Sequence, residues 1–317
     1  MPLAACAALQ DTANGIRMTI AFISHPDCAA YAGEAGHPDL PARLGAIQDH
    51  LLATGLDLAL RHYDAPLATR EQLCRAHTCG YVDAVLTGGV AGEDTLSSPQ
   101  LLHAARRAAG AAVLGVDLVL AGHSTSAFCS VRPPGHHAER DRGAGFCVFN
   151  NLAVGVLHAL RTHGLERVAV VDFDAHFGNG TDAILGGMPE VLYCSLFQYP
   201  FYPYVLPEQD DARAVHIRLP ANSDGGRVCA EVTAHWLPRL EAFRPELIMI
   251  SAGFDAHAED DMADLLLHER DFAWMTQQLH ACAGRHAQGR IVSVLEGGYV
   301  LSALGRSAAA HLKALLG

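Results

Sequence analysis

The chain has 317 residues, 50% hydrophobic and 18% charged, which is enough for a sizeable core and too apolar for a disordered or fibrous protein. Twenty-two Lys and Arg against 34 Asp and Glu leave a formal charge of −12, so the basic footprint of a general nucleic-acid binder is missing and cationic ligands are compatible. Nine cysteines, an odd number with no Cys-x-x-Cys spacing, argue against a disulfide framework or a structural zinc module and fit a reducing cytoplasm.

Residues 1–17 read as a poorly ordered leader. Leu3-Ala4-Ala5-Cys6 looks like a lipoprotein cleavage box, but no basic segment and no apolar core precede it. The fold is expected to start at Met18 with a strand at 19–23. A helix over 99–120 has Ser98 as N-cap, Pro99 at its first position and Gly122 as its stop. A strand at 126–129 follows, then a helix to residue 162 opened by Asn150 and Asn151 and ended near Gly164. Strands are predicted at 168–171, 191–194 and 215–219, and then a helix over 227–243 that Pro238 should kink or break. A strand at 247–250, a helix at 269–286, a strand at 291–295 and a helix at 301–316 complete the pattern.

Short apolar strands alternating with helices predict an α/β fold, a parallel sheet with helices on both faces. No repeat, low-complexity tract or linker divides the chain, so a single domain is expected. The apolar stretch 108–121 is interrupted by Gly110, Gly115 and Asp117, so no membrane partner is expected. The loop 198–213 mixes aromatics, three prolines and acids, and is expected to line a site.

Ligands of open α/β sheets lie beyond the carboxyl ends of the strands, and four strand ends here are chemically loaded. They carry Arg132-Pro133-Pro134-Gly135-His136-His137, Asp172-Phe173-Asp174-Ala175-His176, Gly253-Phe254-Asp255-Ala256-His257 and Glu296-Gly297-Gly298-Tyr299. Singly, each has a bland explanation as a helix cap, a surface pair or a turn; together at one rim they point to a site. Asp174 and His176, two apart on an extended segment, emerge on one side and can chelate one ion, with Asp255 as a third ligand and a position left for water. Zinc leads, and the oxygen-rich set also admits Fe2+ or Co2+. His136 and His137 offer a base; Asp172 could hold one imidazole and Asn179 the other. Tyr299, after Gly297 and Gly298, could bring a phenol to an oxyanion, so the set reads as metal-assisted amide hydrolysis.

These segments resemble the zinc-dependent histone deacetylase superfamily, which includes class II-like bacterial deacetylases and acetylpolyamine amidohydrolases. The resemblance runs from about Ile20 to Leu316 and rests on RPPGHHAERDRGAGFCVFNNLAVG, VVDFDAHFGNGTDAIL, SAGFDAH and LEGGY. It implies the single-domain arginase-deacetylase fold on an eight-stranded parallel sheet, a catalytic domain over 18–317, and zinc on Asp174, His176 and Asp255. By the same resemblance His137 is the general base and acid, His136 its electrostatic partner oriented by Asp172, and Tyr299 the oxyanion donor. A structural potassium is implied on Asp172 and Ser195 with carbonyls of Asp174, His176 and Leu196. Phe146, after Gly145, matches one wall of an acyl-lysine tunnel, and Tyr202 loosely matches the other. Asn179 in place of an aspartate and Glu296 before Gly-Gly-Tyr resemble class II members. The departures are Phe177, the motif His37-Pro38-Asp39-Leu40-Pro41-Ala42-Arg43-Leu44, and the runs Tyr204-Val205-Leu206-Pro207-Glu208 and Ala258-Glu259-Asp260-Asp261-Met262; they bear on the tunnel mouth.

The expected activity is removal of an acyl group from acyl-lysine in proteins or peptides, with acetylated polyamines as the alternative substrate. A catalytically silent acyl-lysine-binding module is the reading from another class, and an arginase-like ureohydrolase would want more carboxylates for two metals. No His-Glu-x-x-His, Gly-x-Ser-x-Gly or phosphate-binding Gly-x-x-x-x-Gly-Lys is present, so no nucleotide cofactor is expected. A homo-oligomer is left open. The run Glu259-Asp260-Asp261 could recruit a cationic substrate but is expected to solvate a helix-entry loop, and most of the nineteen histidines beyond the site are expected at the surface.

Overall fold

Seven short apolar runs form strands where the sequence predicts them, and an eighth strand joins them from a segment whose composition hides it. The computed structural model describes residues 19–33, 36–89, 92, 98–205 and 212–317. The expected leader 1–17, the start at Met18 and the middle of the 198–213 loop lie outside the described residues.

In chain order the elements are β1 (Ile20–Ser24), α1 (Ala42–Ala53), β2 (Leu60–Asp64), α2 (Arg70–Ala76), α3 (Cys79–Leu86), α4 (Pro99–Leu120), β3 (Ser126–Cys129) and α5 (Asn151–Thr162). They continue with β4 (Val168–Asp172), α6 (Asn179–Leu185), β5 (Val191–Gln198), β6 (Ala214–Leu219), α7 (Gly225–Glu231), α8 (Leu237–Phe243), β7 (Leu247–Ala252), α9 (Glu269–His286), β8 (Ile291–Leu295) and α10 (Leu301–Leu315). All eight strands run parallel in one sheet of order β2-β1-β3-β8-β7-β4-β5-β6.

The hidden strand is β2, whose sequence LRHYD is mostly exposed at the sheet edge; an edge strand need not be apolar, so no periodic signal marks it. The predicted break at Pro238 is a π-turn over Val232–Trp236 between α7 and α8. Proline has no N–H to continue the ladder, and the wider turn absorbs the loss.

Adjacent residues of the central strands face opposite sides, and each side finds its own helices. On one face α4 covers β1, β3 and β8, with Gly115 against Ala127 and Val292. On the other, the next residues along, Phe128 and Ser293, meet His311 of α10: the Phe128 and His311 rings are 5.8 Å apart and His311 Nε2 is 2.9 Å from Ser293 Oγ.

The topology sets the place for chemistry. From β4 the chain moves outward to β5 and β6, whereas from β7 it moves the opposite way to β8. The strand order reverses between β4 and β7, and such a reversal opens a crevice at the carboxyl ends of the two strands.

Candidate active site

Four loops meet at that crevice, and backbone-to-carboxylate hydrogen bonds tie them together. The Glu296 carboxylate, in the loop after β8, accepts N–H bonds from Gly135 (2.6 Å) and His136 (3.1 Å) in the loop after β3. Gly297 N–H donates to Asp174 (2.9 Å), and Ala175 N–H to Asp255 (2.9 Å). A Cβ on Gly297 would lie 2.0 Å from the Asp255 carboxylate, so only glycine permits this approach.

Asp174, His176 and Asp255 converge, all three buried, with ligand atoms within 4.8 Å of one another. His176 Nδ1 lies 3.0 Å from Asp174 and 3.1 Å from Asp255. Its Nε2 is 3.1 Å from the Met262 carbonyl, which only accepts, so Nε2 carries the proton. Nδ1 therefore faces two carboxylates with either a second proton or a lone pair turned on a cation. A carboxylate–imidazole–carboxylate set of this kind, with the imidazole oriented by a carbonyl, fits a divalent metal.

Among the described residues two other histidine–acid groups lie within the same distance limit, and their hydrogen bonds oppose a metal. In Asp117–His158–His163 the Arg75 guanidinium, which only donates, is 3.1 Å from His158 Nδ1; Nε2 is then the protonated nitrogen and donates to Asp117 (2.8 Å). In His257–His268–Glu269 the Glu259 N–H donates to His257 Nδ1 (3.1 Å), and Arg306 already pairs with Glu269.

The adjacent His136 and His137 are held in opposite states. His137 Nδ1 is 2.8 Å from Asn179 Oδ1, and Asn179 Nδ2 donates to Glu139 (2.8 Å), which fixes the amide orientation. His137 Nδ1–H is thus the donor and Nε2 keeps its lone pair. Burial, reinforced by the neighbouring charges of His136 and His176, holds His137 well below the usual imidazole range. His136 Nδ1 lies 3.1 Å from Asp172; burial disfavours its charge, but Asp174 and Asp172 outweigh burial and push it up to about 10.

A cavity of about 380 Å³ opens over these groups, lined by His137, Phe146, His176, Phe201, Tyr202 and Tyr299, with Asp261 and Met262 also contributing. Gly145 precedes Phe146 with φ +54, and a Cβ there would meet the His137 ring at 2.3 Å. The Phe146 ring is edge-on to Tyr299 (6.2 Å) and Tyr202 is edge-on to His137 (5.1 Å). Burial, opposed by Arg43 and reinforced by Asp255 and Asp174, keeps the Tyr299 phenol protonated. Gly298 offers its carbonyl to Arg43 (2.6 Å), whose guanidinium lies over the Tyr299 ring at 4.8 Å. At the potassium position expected from the resemblance, Ser195 sits opposite Asp172 in the β4–β5 register with its hydroxyl buried near the Tyr193 phenol.

Sequence reasoning assigned no site role to Glu139 or Phe201, and it noted Arg43 and Met262 only as parts of motifs bearing on the tunnel mouth. The aromatic loop signalled Phe201; the others act across the fold, where spacing is silent. Most histidines beyond the site are exposed or half-buried, as expected; His77, His158, His216, His257 and His311 are the exceptions, buried with a polar or aromatic neighbour each. The solvating role expected for Glu259-Asp260-Asp261 is corrected at Asp260, which is buried. Among the described residues all cysteines are free thiols, and no helix is long and apolar enough to cross a membrane.

The Histone deacetylase domain family matches residues 37–315. The chain is 40% identical over 282 residues to the histone deacetylase-like amidohydrolase of Pseudomonas aeruginosa, covering 85% of this chain and 73% of that protein. It is 36% identical over 329 residues to the human polyamine deacetylase HDAC10, covering 95% of this chain but only about half (48%) of that longer protein. The crystal structure of the HDA15 HD domain superposes with a TM-score of 0.87 at 30% identity, over 94% of this chain and 90% of that one. With its eight-stranded parallel α/β fold, the chain belongs to the histone deacetylase family and is a hydrolytic deacetylase.

Proposed function

We propose that this deacetylase is a zinc-dependent amidohydrolase that removes acetyl or another acyl group from N-acyl-lysine side chains of proteins or peptides. The observation that carries the reading is a pair of fixed tautomers at one cavity: His176 turns Nδ1 to two carboxylates, and His137 keeps Nε2 as a lone pair beside Tyr299. Asp174, His176 and Asp255 would hold the ion, zinc by this donor set with Fe2+ or Co2+ as substitutes, and when bound it supplies Lewis acidity for adding water to the amide carbonyl.

His137 accepts the proton of the attacking water at Nε2, and the Tyr299 phenol donates to the oxyanion. His137 then hands its proton to the leaving amine, so one imidazole serves as base and acid. His136, charged and held by Asp172, stabilises the negative charge that develops beside it. Asp172 and Ser195, with carbonyls of Asp174, His176 and Leu196, are assigned a structural potassium, a reading supported by the buried Ser195 hydroxyl opposite Asp172. Gly145, Phe146, Phe201, Tyr202 and Met262 line the cavity and suit the methylene stem of a lysine, and Gly297 and Gly298 are assigned to substrate binding by the resemblance.

A second reading, an acetylpolyamine substrate, is favoured by Asp261. Its exposed carboxylate lies at the tunnel mouth with no partner among the described residues, where a second ammonium of the substrate would find it. The test is kcat/KM on acetyl-lysyl peptides, longer acyl-lysyl peptides and N-acetylputrescine with zinc supplied. A peptide preference supports the first reading, and a preference for N-acetylputrescine by orders of magnitude transfers the assignment to the second. Bound metal without turnover on any of them sinks both.

A further inference from the structure

The acidic run Glu259-Asp260-Asp261 divides into three different environments. Glu259 is exposed and pairs with Arg306 (2.6 Å), and Asp261 is exposed at the tunnel mouth. Asp260 is only 5% exposed and has no cationic partner among the described residues. One of its carboxylate oxygens accepts the backbone N–H of both Tyr299 (2.7 Å) and Val300 (3.1 Å), and the other accepts Met262 N–H (3.1 Å). Val300 is the N-cap of α10 and caps it with no side-chain hydrogen bond, so Asp260 takes the Val300 N–H that the helix start would otherwise leave unsatisfied, together with the Tyr299 N–H just before it.

Two sets of bonds therefore hold the backbone at Tyr299. Arg43 pins the carbonyls of Glu296 (2.5 Å) and Gly298 (2.6 Å) just before it, and Asp260 pins the N–H of Tyr299 itself. Between them lies Gly298 at φ +115, a joint with no Cβ to restrict it. A phenol carried on such a joint keeps its place only if both sides are anchored.

We propose that Asp260 is a positioning residue for Tyr299: through the backbone it fixes where the phenol meets the developing oxyanion, and it links the Asp255 loop to the Tyr299 loop. This rests on the role given to Tyr299 above. The loss of an anchor that shifts a reacting group by about 1 Å is worth roughly a hundredfold in turnover.

The experiment is a double-mutant cycle on the zinc-loaded full chain with an acetyl-lysyl peptide, using Asp260→Ala, the isosteric Asp260→Asn and Tyr299→Phe. Zinc content and amide exchange at residues 299–300 are measured on each variant. The expected result is a kcat lower by about 10- to 100-fold in D260A with KM within about threefold, zinc retained, and faster exchange at 299–300. In the Y299F background D260A should cost less than about threefold more, because nothing remains to be positioned. Glu259→Gln should match the wild type. If D260A does not fold, D260N, which offers one acceptor and one misplaced donor, should give the same non-additivity with a smaller loss. Losses that multiply independently of Tyr299, or loss of zinc in D260A or D260N, would overturn the positioning role. Near-wild-type turnover in Y299F would instead overturn the role of Tyr299 on which it depends.

Discussion

Two histidine–aspartate clusters of similar composition sit in this molecule, and they differ in what stands behind the ring. In Asp174–His176–Asp255 the imidazole backs onto a carbonyl, so the proton is on the far nitrogen and Nδ1 is left to the carboxylates. In Asp117–His158–His163 the imidazole backs onto the Arg75 guanidinium, so the nitrogen facing Asp117 is itself the donor. The first is buried inside the crevice at the strand ends; the second lies between α4 and α5 with His163 exposed. The difference teaches that the second neighbour of a histidine, which sets its tautomer, separates a metal ligand from a hydrogen-bonded pair.

The largest expected effect separates the two clusters outright. Asp174→Ala should abolish zinc binding and activity together, whereas Asp117→Ala should leave the zinc stoichiometry, measured by atomic absorption, unchanged. Equal loss of metal in both variants would break the distinction. Only the buried cluster has a phenol facing it, and Tyr299→Phe should cut turnover by about two to three powers of ten at normal metal content. Asn179→Ala frees the His137 tautomer without touching the metal-binding carboxylates, and a kcat lower by roughly 10- to 100-fold with zinc retained is expected.

His77 tests the same tautomer rule where no ion is involved. Its Nε2 accepts Asn150 N–H (2.9 Å) and its Nδ1–H donates to the Glu139 carbonyl (2.8 Å), and burial, only partly offset by backbone hydrogen bonds of Glu139 and Arg140, lowers it from 6.5 to about 4. Between those pH values the unfolded chain binds more protons than the folded one. Stability should fall as pH drops from 6.5 toward 4, by up to about 3 kcal/mol, and be independent of this group at higher pH. Urea unfolding of His77→Gln should show a flatter dependence over that window than wild type. At the small end, Asp117→Asn should cost less than about 1 kcal/mol, since its carboxylate is half exposed and screened.

Much of the site is readable along the chain because parallel strands deliver their last residues to one rim. Asp172, Asp174, His176, Asp255 and Tyr299 could all be picked out as residues following apolar runs. Asp260 could not: its carboxylate meets Tyr299 N–H across 39 positions, and in sequence it looks like one more acid in a charged turn. The partners of Arg43 and Glu296 are hidden for the same reason, lying 253 to 255 and 160 to 161 residues away, although both residues stand in motifs the sequence shows. Strand β2 was missed because an edge position demands little apolar content.

The sequence alone determined the α/β layering, the strand ends that carry chemistry and the identities of the groups gathered there. Those follow from hydrophobic periodicity and side-chain chemistry, which are local. Only the tertiary structure decided which histidine nitrogen holds its proton, which acid in a run is buried, and which of three histidine–acid groups can accept a cation. Those properties depend on neighbours brought from distant segments, and a hydrogen bond of about 3 Å is sensitive to placements that no spacing along the chain encodes.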